Sequence, residues 1–210
     1  MKFEIRTAVM PIIGINILFF VLQIVLGDGF TEALMLIGSD IFSRPWILLT
    51  SMFLHGGLNH LFFNMYGLLL FGPLLEHKIG AKKFLFVYLT SGLIAAFFSS
   101  FFYARALGAS GAIMGMLGAL IILMPNLRLL FLFIIPMPLW VAGIVWILID
   151  ALGIFIPSGI GNIAHLVGIG CGLLFGLYLK KQRKVYQKKF SSKTHMDVDD
   201  IEEYLRSGKI

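Results

Sequence analysis

Charge is scarce in this sequence: Asp, Glu, Lys and Arg together make up 13% of its 210 residues. Six stretches have none at all: Thr7–Gly27, Pro45–Leu75, Phe84–Ala104, Ala106–Leu127, Leu129–Ile149 and Ala151–Leu179. Each is long enough to cross a bilayer, which takes about 20 apolar residues in a helix. With 59% hydrophobic residues and a mean hydropathy of +0.92, a soluble globular domain is excluded. Cysteine is nearly absent as well. The single Cys171 excludes an internal disulfide and leaves the redox compartment unread. Also missing is any H-E-x-x-H sequence, and the histidines of the apolar runs lack zinc-ligand spacing. Neither a metal nor another cofactor is therefore expected. The first run is long for a signal-peptide core and no small-x-small cleavage site follows it, so it reads as a retained helix.

What charge there is lies between the runs. A net charge of +6 would suggest nucleic acid in a soluble chain, but here it reports topology. With six spans and both ends on one side, Lys2, Arg6, Lys78, Lys82, Lys83, Arg128 and the tail carry fifteen of the seventeen basic residues. Only Arg44 and Arg105 fall on the other side, so both termini are expected to be cytoplasmic. The predicted fold is an all-α membrane protein, a bundle of six transmembrane helices over residues 1–180. The helices are placed at about 8–26, 47–75, 84–103, 107–124, 139–156 and 161–179, and residues 181–210 form a polar cytoplasmic tail. Gly27 to Trp46 is an apolar outer loop lying in the interface. Leu127–Ile135 is expected to be an apolar loop, because Pro136 and Pro138 prevent a helix from starting before Leu139. Pro157-Ser158-Gly159 makes an outer turn, and Asp197–Leu205 has the spacing of a short surface helix. The membrane is expected to be the plasma membrane.

Small residues mark the close helix contacts. Gly111, Gly115 and Gly118 recur on the fourth span, and Gly168, Gly172 and Gly176 on the sixth. Such faces let helix backbones approach in lipid, where apolar burial provides little drive. Polar residues within the spans are costly, so they are candidates for function. His60 lies 16 residues before Glu76, Ser110 lies 15 before Pro125, and His165 lies 15 before Lys180. At 1.5 Å per residue all three sit roughly 22–24 Å above the cytoplasmic boundary, on the order of 7 Å below the outer surface. Asn64, one turn from His60, shares its face.

That layer has the parts for peptide hydrolysis. A serine hydroxyl needs a base within reach, and the neutral imidazole of His165 suits that task. Gly111, next to Ser110, lets a carbonyl approach the serine backbone N–H. His60 and Asn64 add side-chain donors for the developing oxyanion. No carboxylate lies near this layer on the second, fourth or sixth span, so a Ser-His dyad is expected rather than a triad. Asp150, in the outer half of the fifth span, is left without a role; it faces water or pairs locally. A transporter would spread ionisable groups through the membrane depth, whereas these cluster in one layer. A non-catalytic protein that only binds membrane clients would need neither the serine nor the histidine, and both are present.

These residues resemble the rhomboid family of intramembrane serine proteases. The matching positions are His55, His60 and Asn64 on the second span, Gly108-Ala109-Ser110-Gly111 opening the fourth, and Ala164-His165 with Gly168 and Gly172 on the sixth. The resemblance implies Ser110 as nucleophile, His165 as general base, and His60, Asn64 and the Ser110 amide as oxyanion hole. It gives His55 a structural or hydrating role. It also implies single-span membrane-protein substrates cut near the outer end of their helix, with substrate entering past the fifth helix, where Trp140 and Trp146 lie. Two departures stand out. Arg44-Pro45-Trp46 replaces the family's frequent Trp-Arg order, and Met114 replaces an aromatic four residues after the nucleophile, where its thioether can still touch an imidazole.

Overall fold

The computed structural model describes residues 7–131, 135–156 and 159–191, with side chains described at 7–130, 135–156 and 159–182. The expected turn at Pro157-Ser158 and the expected tail helix at Asp197–Leu205 lie outside the described residues. Among those described, four helices are long and apolar enough to cross a membrane. They are α1 (Val9–Leu26), α4 (Leu58–Ile79), α5 (Ala81–Ser99) and the apolar part, Asn162–Gln182, of α8 (Asn162–Ser191). Two shorter apolar helices, α6 (Ser110–Leu123) and α7 (Leu139–Gly153), complete the bundle. The chain is a multi-pass helical membrane protein.

Three departures from the expected boundaries have local causes. The second apolar run is not one helix. It opens with the short α3 (Ile47–Thr50) and a 3₁₀ turn at Ser51–Phe53, and breaks through Leu54-His55-Gly56-Gly57 before α4 begins. Tandem glycines, with no side chain to favour a helical backbone, account for that break. The fourth run starts its helix at Ser110 rather than near Leu107. Gly108 has φ +125°, which only glycine adopts without strain, and its N–H donates to Ser51 O at 2.9 Å. The apolar segment after α6 is a hairpin rather than a loop: β3 (Arg128–Phe131) pairs antiparallel with β4 (Ile135–Pro138). Helix α7 does start at Leu139, directly after Pro138.

The loop between α1 and α3 carries the short helix α2 (Asp28–Leu34) and the strand β1 (Leu36–Ile37). That strand pairs antiparallel with β2 (Arg105–Ala106), setting Leu36 opposite Ala106 just before the Ser110 turn. An exposed ion pair, Arg105 Nη1 to Glu32 Oε1 at 3.0 Å, holds the same junction. Arg44 turns to Asp40 and to the Glu32 carbonyl. At the opposite end of the bundle, buried Glu76 accepts from Thr7 Oγ1 at 2.8 Å and from the Ala8 N–H at 2.6 Å, tying the start of α1 to the end of α4.

Helix α6 is the centre of the core, with every residue from Gly111 to Leu120 buried. Its packing gives the helix directions. A Cβ on Gly168 would strike Gly111 O, one on Gly172 would strike Gly115 O, and one on Gly176 would lie 3.0 Å from Ala119 O. Positions rise together, so α6 and α8 run parallel with their backbones in contact. Against α5 the order reverses, Gly111 facing Ala95 and Gly115 facing Ser91, so that pair is antiparallel. Against α4, Gly108 faces His60 and Gly67 faces Ile113, which makes α4 parallel to α6 as well. Helices α4, α6 and α8 therefore present their N-terminal turns at one end of the bundle.

Candidate active site

Those three N-terminal turns carry His60, Ser110 and His165. Ser110 is the first residue of α6 and half-buried. Because the first helical N–H groups have no partner within their own helix, the amides of Ser110, Gly111 and Ala112 form a donor cluster at the helix terminus. His165 is held in the first turn of α8, its N–H donating to Gly161 O at 3.0 Å, and it is 9% exposed. The glycine contacts at Gly111, Gly115, Gly168 and Gly172 fix the distance between these helices. A Cβ on Gly111 would stand 3.6 Å from Ala164 O, the carbonyl just before the histidine.

His60 is oriented by its neighbours. The Gly56 N–H donates to its Nδ1 at 3.3 Å, so in the neutral ring Nε2 carries the proton and is a donor. The ring lies over Gly108, where a Cβ would fall 2.8 Å from Nε2. Any side chain at Gly108 would thus meet the imidazole as well as strain the backbone. Buried His55 sits behind His60, the two rings edge-on at 5.1 Å between centroids. Its own backbone is held by Gln23 of α1, which receives the His55 N–H on Oε1 at 2.9 Å and donates Nε2 to the His55 carbonyl at 3.2 Å. Asn64 donates one amide hydrogen to His60 O at 2.8 Å, which leaves its second for another acceptor.

Ser110, His165, His60, Asn64, Gly108, Gly111 and Met114 all line one cavity of about 1040 Å³. Its walls are mostly apolar, with Phe63, Tyr66 and Leu70 from α4 facing Ala142 and Trp146 from α7. Met114, one turn after Ser110, is 6% exposed. Trp146 lines the cavity, whereas Trp140 is 45% exposed on the outside of α7. Polar side chains and mostly apolar walls thus share one cavity, the usual make-up of a binding site.

The family model described as Rhomboid domain matches residues 43–182. The chain belongs to the rhomboid family. Similar proteins include Rhomboid protein 1, mitochondrial, of Saccharomyces cerevisiae, 33% identical over 84% of this chain and 54% of that protein. RHOMBOID-like protein 6, mitochondrial, of Arabidopsis thaliana is 32% identical over 67% of this chain and 45% of its own length. Rhomboid protease GluP of Bacillus subtilis is 37% identical over 73% of this chain and 31% of its own length. The chain thus spans between about a third and about half the length of these relatives. The matched region of this rhomboid contains all of the cavity-lining polar residues just described.

One residue of the site escaped the sequence reading. Asp150, on α7, is buried and places Oδ1 2.9 Å from His165 Nδ1. The other polar groups lie on the second, fourth and sixth spans, and none of those spans carries a carboxylate at that layer. Asp150 lies 11 residues into a helix that starts at Leu139 and is the only charged residue on it, so no second group marked that helix as part of the site.

Proposed function

We propose that this rhomboid is an intramembrane serine endopeptidase, with Ser110 as nucleophile and His165 as general base. The observation that carries the reading is the parallel, glycine-mediated contact of α6 and α8, which brings the first turns of both helices to one cavity end. As Ser110 Oγ bonds to the scissile carbonyl carbon, its proton passes to His165. The negative charge developing on the carbonyl oxygen is met by the Ser110 amide at the α6 terminus, by His60 Nε2–H and by the second hydrogen of Asn64. His165 then returns the proton to the leaving nitrogen as the C–N bond breaks, and water releases the acyl group by the same route. Gly108 and Gly111 keep the approach clear, and His55 and Met114 support the rings and walls around it.

The substrates are single-span membrane proteins, entering from the bilayer between α4 and α7, where the cavity walls are apolar. Six helices cross the membrane, the short α6 and α7 included, with both termini on the basic, cytoplasmic side and the cut near the outer face. A polar tail follows at residues 181–210. The proposed location is the plasma membrane; because two relatives carry the word mitochondrial in their names, fractionation must separate the two membranes.

The test uses the full chain purified in detergent, with a single-span model substrate and neither ATP nor added metal. Cleavage is expected, and Ser110→Ala and His165→Ala should each abolish it while leaving helical content and thermal unfolding unchanged. A fluorophosphonate should label wild type at Ser110 and fail to label Ser110→Ala. Normal cleavage by Ser110→Ala would end the serine-protease reading.

A further inference from the structure

Among the described residues, Asp150 is a buried carboxylate without a cation beside it. Its side chain is 3% exposed, its Oδ1 lies 2.9 Å from His165 Nδ1, and its Oδ2 is buried with no hydrogen-bond partner. Burying a carboxylate costs several kcal/mol unless it is well paired. A leucine or an asparagine would fill the same space in α7 more cheaply. The carboxylate spends that cost on one contact, and the contact is to the imidazole of His165.

The consequence for His165 is chemical. A neutral imidazole has one N–H and one lone pair. With a carboxylate acceptor at Nδ1, the proton sits on Nδ1 and the lone pair on Nε2. Nε2 is then the nitrogen able to take a proton from Ser110. The bond also restrains the ring about its side-chain torsions, at the first turn of a helix that by itself holds only the His165 backbone.

We propose that Asp150 is a positioning residue for the base, making the site a three-member relay drawn from α6, α8 and α7. The proposal rests on the protease reading of Ser110 and His165. In the step that forms the acyl-enzyme, the Ser110 proton moves to His165 Nε2 while Nδ1–H stays with its nitrogen. The Asp150 side chain faces the imidazolium that results. The same proton then leaves with the departing amine, so no proton is gained or lost by Asp150. Because α7 also supplies Ala142 and Trp146 to the cavity wall, the carboxylate is carried by the helix that substrate must pass. Base orientation and the seating of α7 on α8 are thereby one variable.

The test takes Asp150→Asn, Asp150→Ala and Asp150→Glu in the full chain in detergent, beside Ser110→Ala. Asp150→Asn and Asp150→Ala are expected to lower kcat by about 10²-fold or more with KM changed less than about threefold. Asp150→Glu should restore part of the rate. A purely structural role would not set a tautomer, so wild type is also read by ¹⁵N NMR of labelled histidine, with His165→Asn assigning the resonance. The expected signal has Nδ1 protonated and Nε2 bare in wild type, shifting towards the other tautomer in Asp150→Ala. Full kcat in both Asp150→Asn and Asp150→Ala, or a wild-type His165 protonated on Nε2, would overturn the relay. If Ser110→Ala is inactive in either case, the protease reading stands on its own. The tautomer measurement needs only wild type and the His165→Asn reference, so an Asp150 variant that fails to fold does not remove the test.

Discussion

Helix α8 touches α6 and α7 in opposite ways. Towards α6 it presents Gly168, Gly172 and Gly176, and the two backbones meet with no room for a Cβ. Towards α7 it presents a histidine and an asparagine, which meet Asp150 and Gly153. Helix α6 is buried along most of its length, whereas α7 buries only Leu139, Ala142, Gly143 and Asp150. Trp140, Ile144, Leu148, Ile149 and Leu152 of α7 are all exposed on the outside of the bundle. The two interfaces differ in stiffness. Where α6 meets α8 beside Ser110 and His165, backbones are packed against each other, and packed cores yield little. The α7 wall is instead a short helix joined to α8 through a few side chains. One of those side chains, Asp150, is bonded to His165.

Breaking the tight interface gives the largest expected effect. In Gly172→Val the new side chain would be driven into the Gly115 carbonyl and the Ala119 backbone, with no flexible group to give way. Overpacking of this kind costs about 1–3 kcal/mol, which for a chain of this size lowers Tm by roughly 2–12 °C. Thermal unfolding in detergent should show that drop, and cleavage should disappear with it. An unchanged Tm would mean that α6 and α8 can separate without loss of the fold.

The loose interface is expected to fail differently. A Cβ on Gly153 would fall 2.6 Å from Asn162 Oδ1, pressing the end of α7 away from the start of α8 one turn beyond Asp150. Gly153→Ala should therefore change Tm by only a few degrees. It should lower kcat on the order of 10-fold, because a misaligned base is costly even when all reacting groups remain. If rate and Tm fell together instead, α7 would be as much a part of the rigid scaffold as α6.

The sequence showed the tight interface far better than the loose one. Glycines three or four residues apart on two apolar runs announce a close helix pair, because such small faces let backbones approach in lipid. The shared depth of His60, Ser110 and His165 was legible for a related reason: helix rise is constant, so counting from charged boundaries gives height. Height does not give direction, however, and Asp150 was missed because its helix contributed no other polar group. The broken second run was missed for a local reason. Leu54-His55-Gly56-Gly57 reads as apolar in a window, yet two glycines and a histidine anchored by Gln23 turn it out of the helix. The β1–β2 pairing was likewise invisible, since two-residue strands leave no periodicity to detect.

A third variant separates stability from rate at the far end of the bundle. Glu76→Gln weakens the acceptor for Thr7 Oγ1 and for the Ala8 N–H, two bonds that tie α1 to α4. Bonds to a charged group contribute about 1.5–3 kcal/mol each, and an amide oxygen retains part of that. A loss of about 1–2 kcal/mol is expected, read as a Tm lower by roughly 2–8 °C. Cleavage per folded molecule should be unchanged, because neither α6–α8 nor α7–α8 is touched. A fall in kcat would connect α1 to the site through Gln23 and His55.

The smallest effect is expected in the outer loop, where the groups are exposed to water. Glu32–Arg105 is a solvent-exposed pair, and such pairs contribute about 0–1 kcal/mol. Arg105→Gln should shift Tm by no more than a degree or two, and added salt should remove the shift. Nearby Asp40 has its carboxyl held below the usual carboxylate range by the Ser39 hydroxyl first and by Arg44 second. A depressed folded value favours the folded state above the unfolded pKa, and that contribution is lost as pH falls through the folded one. Asp40→Asn should therefore leave Tm unchanged in strong acid and lower it only slightly near neutrality. The rate is the sharper measurement. Strand β1 pairs with β2 four residues before Ser110, so an Arg105→Gln change in kcat without a change in Tm would connect this loop to the site.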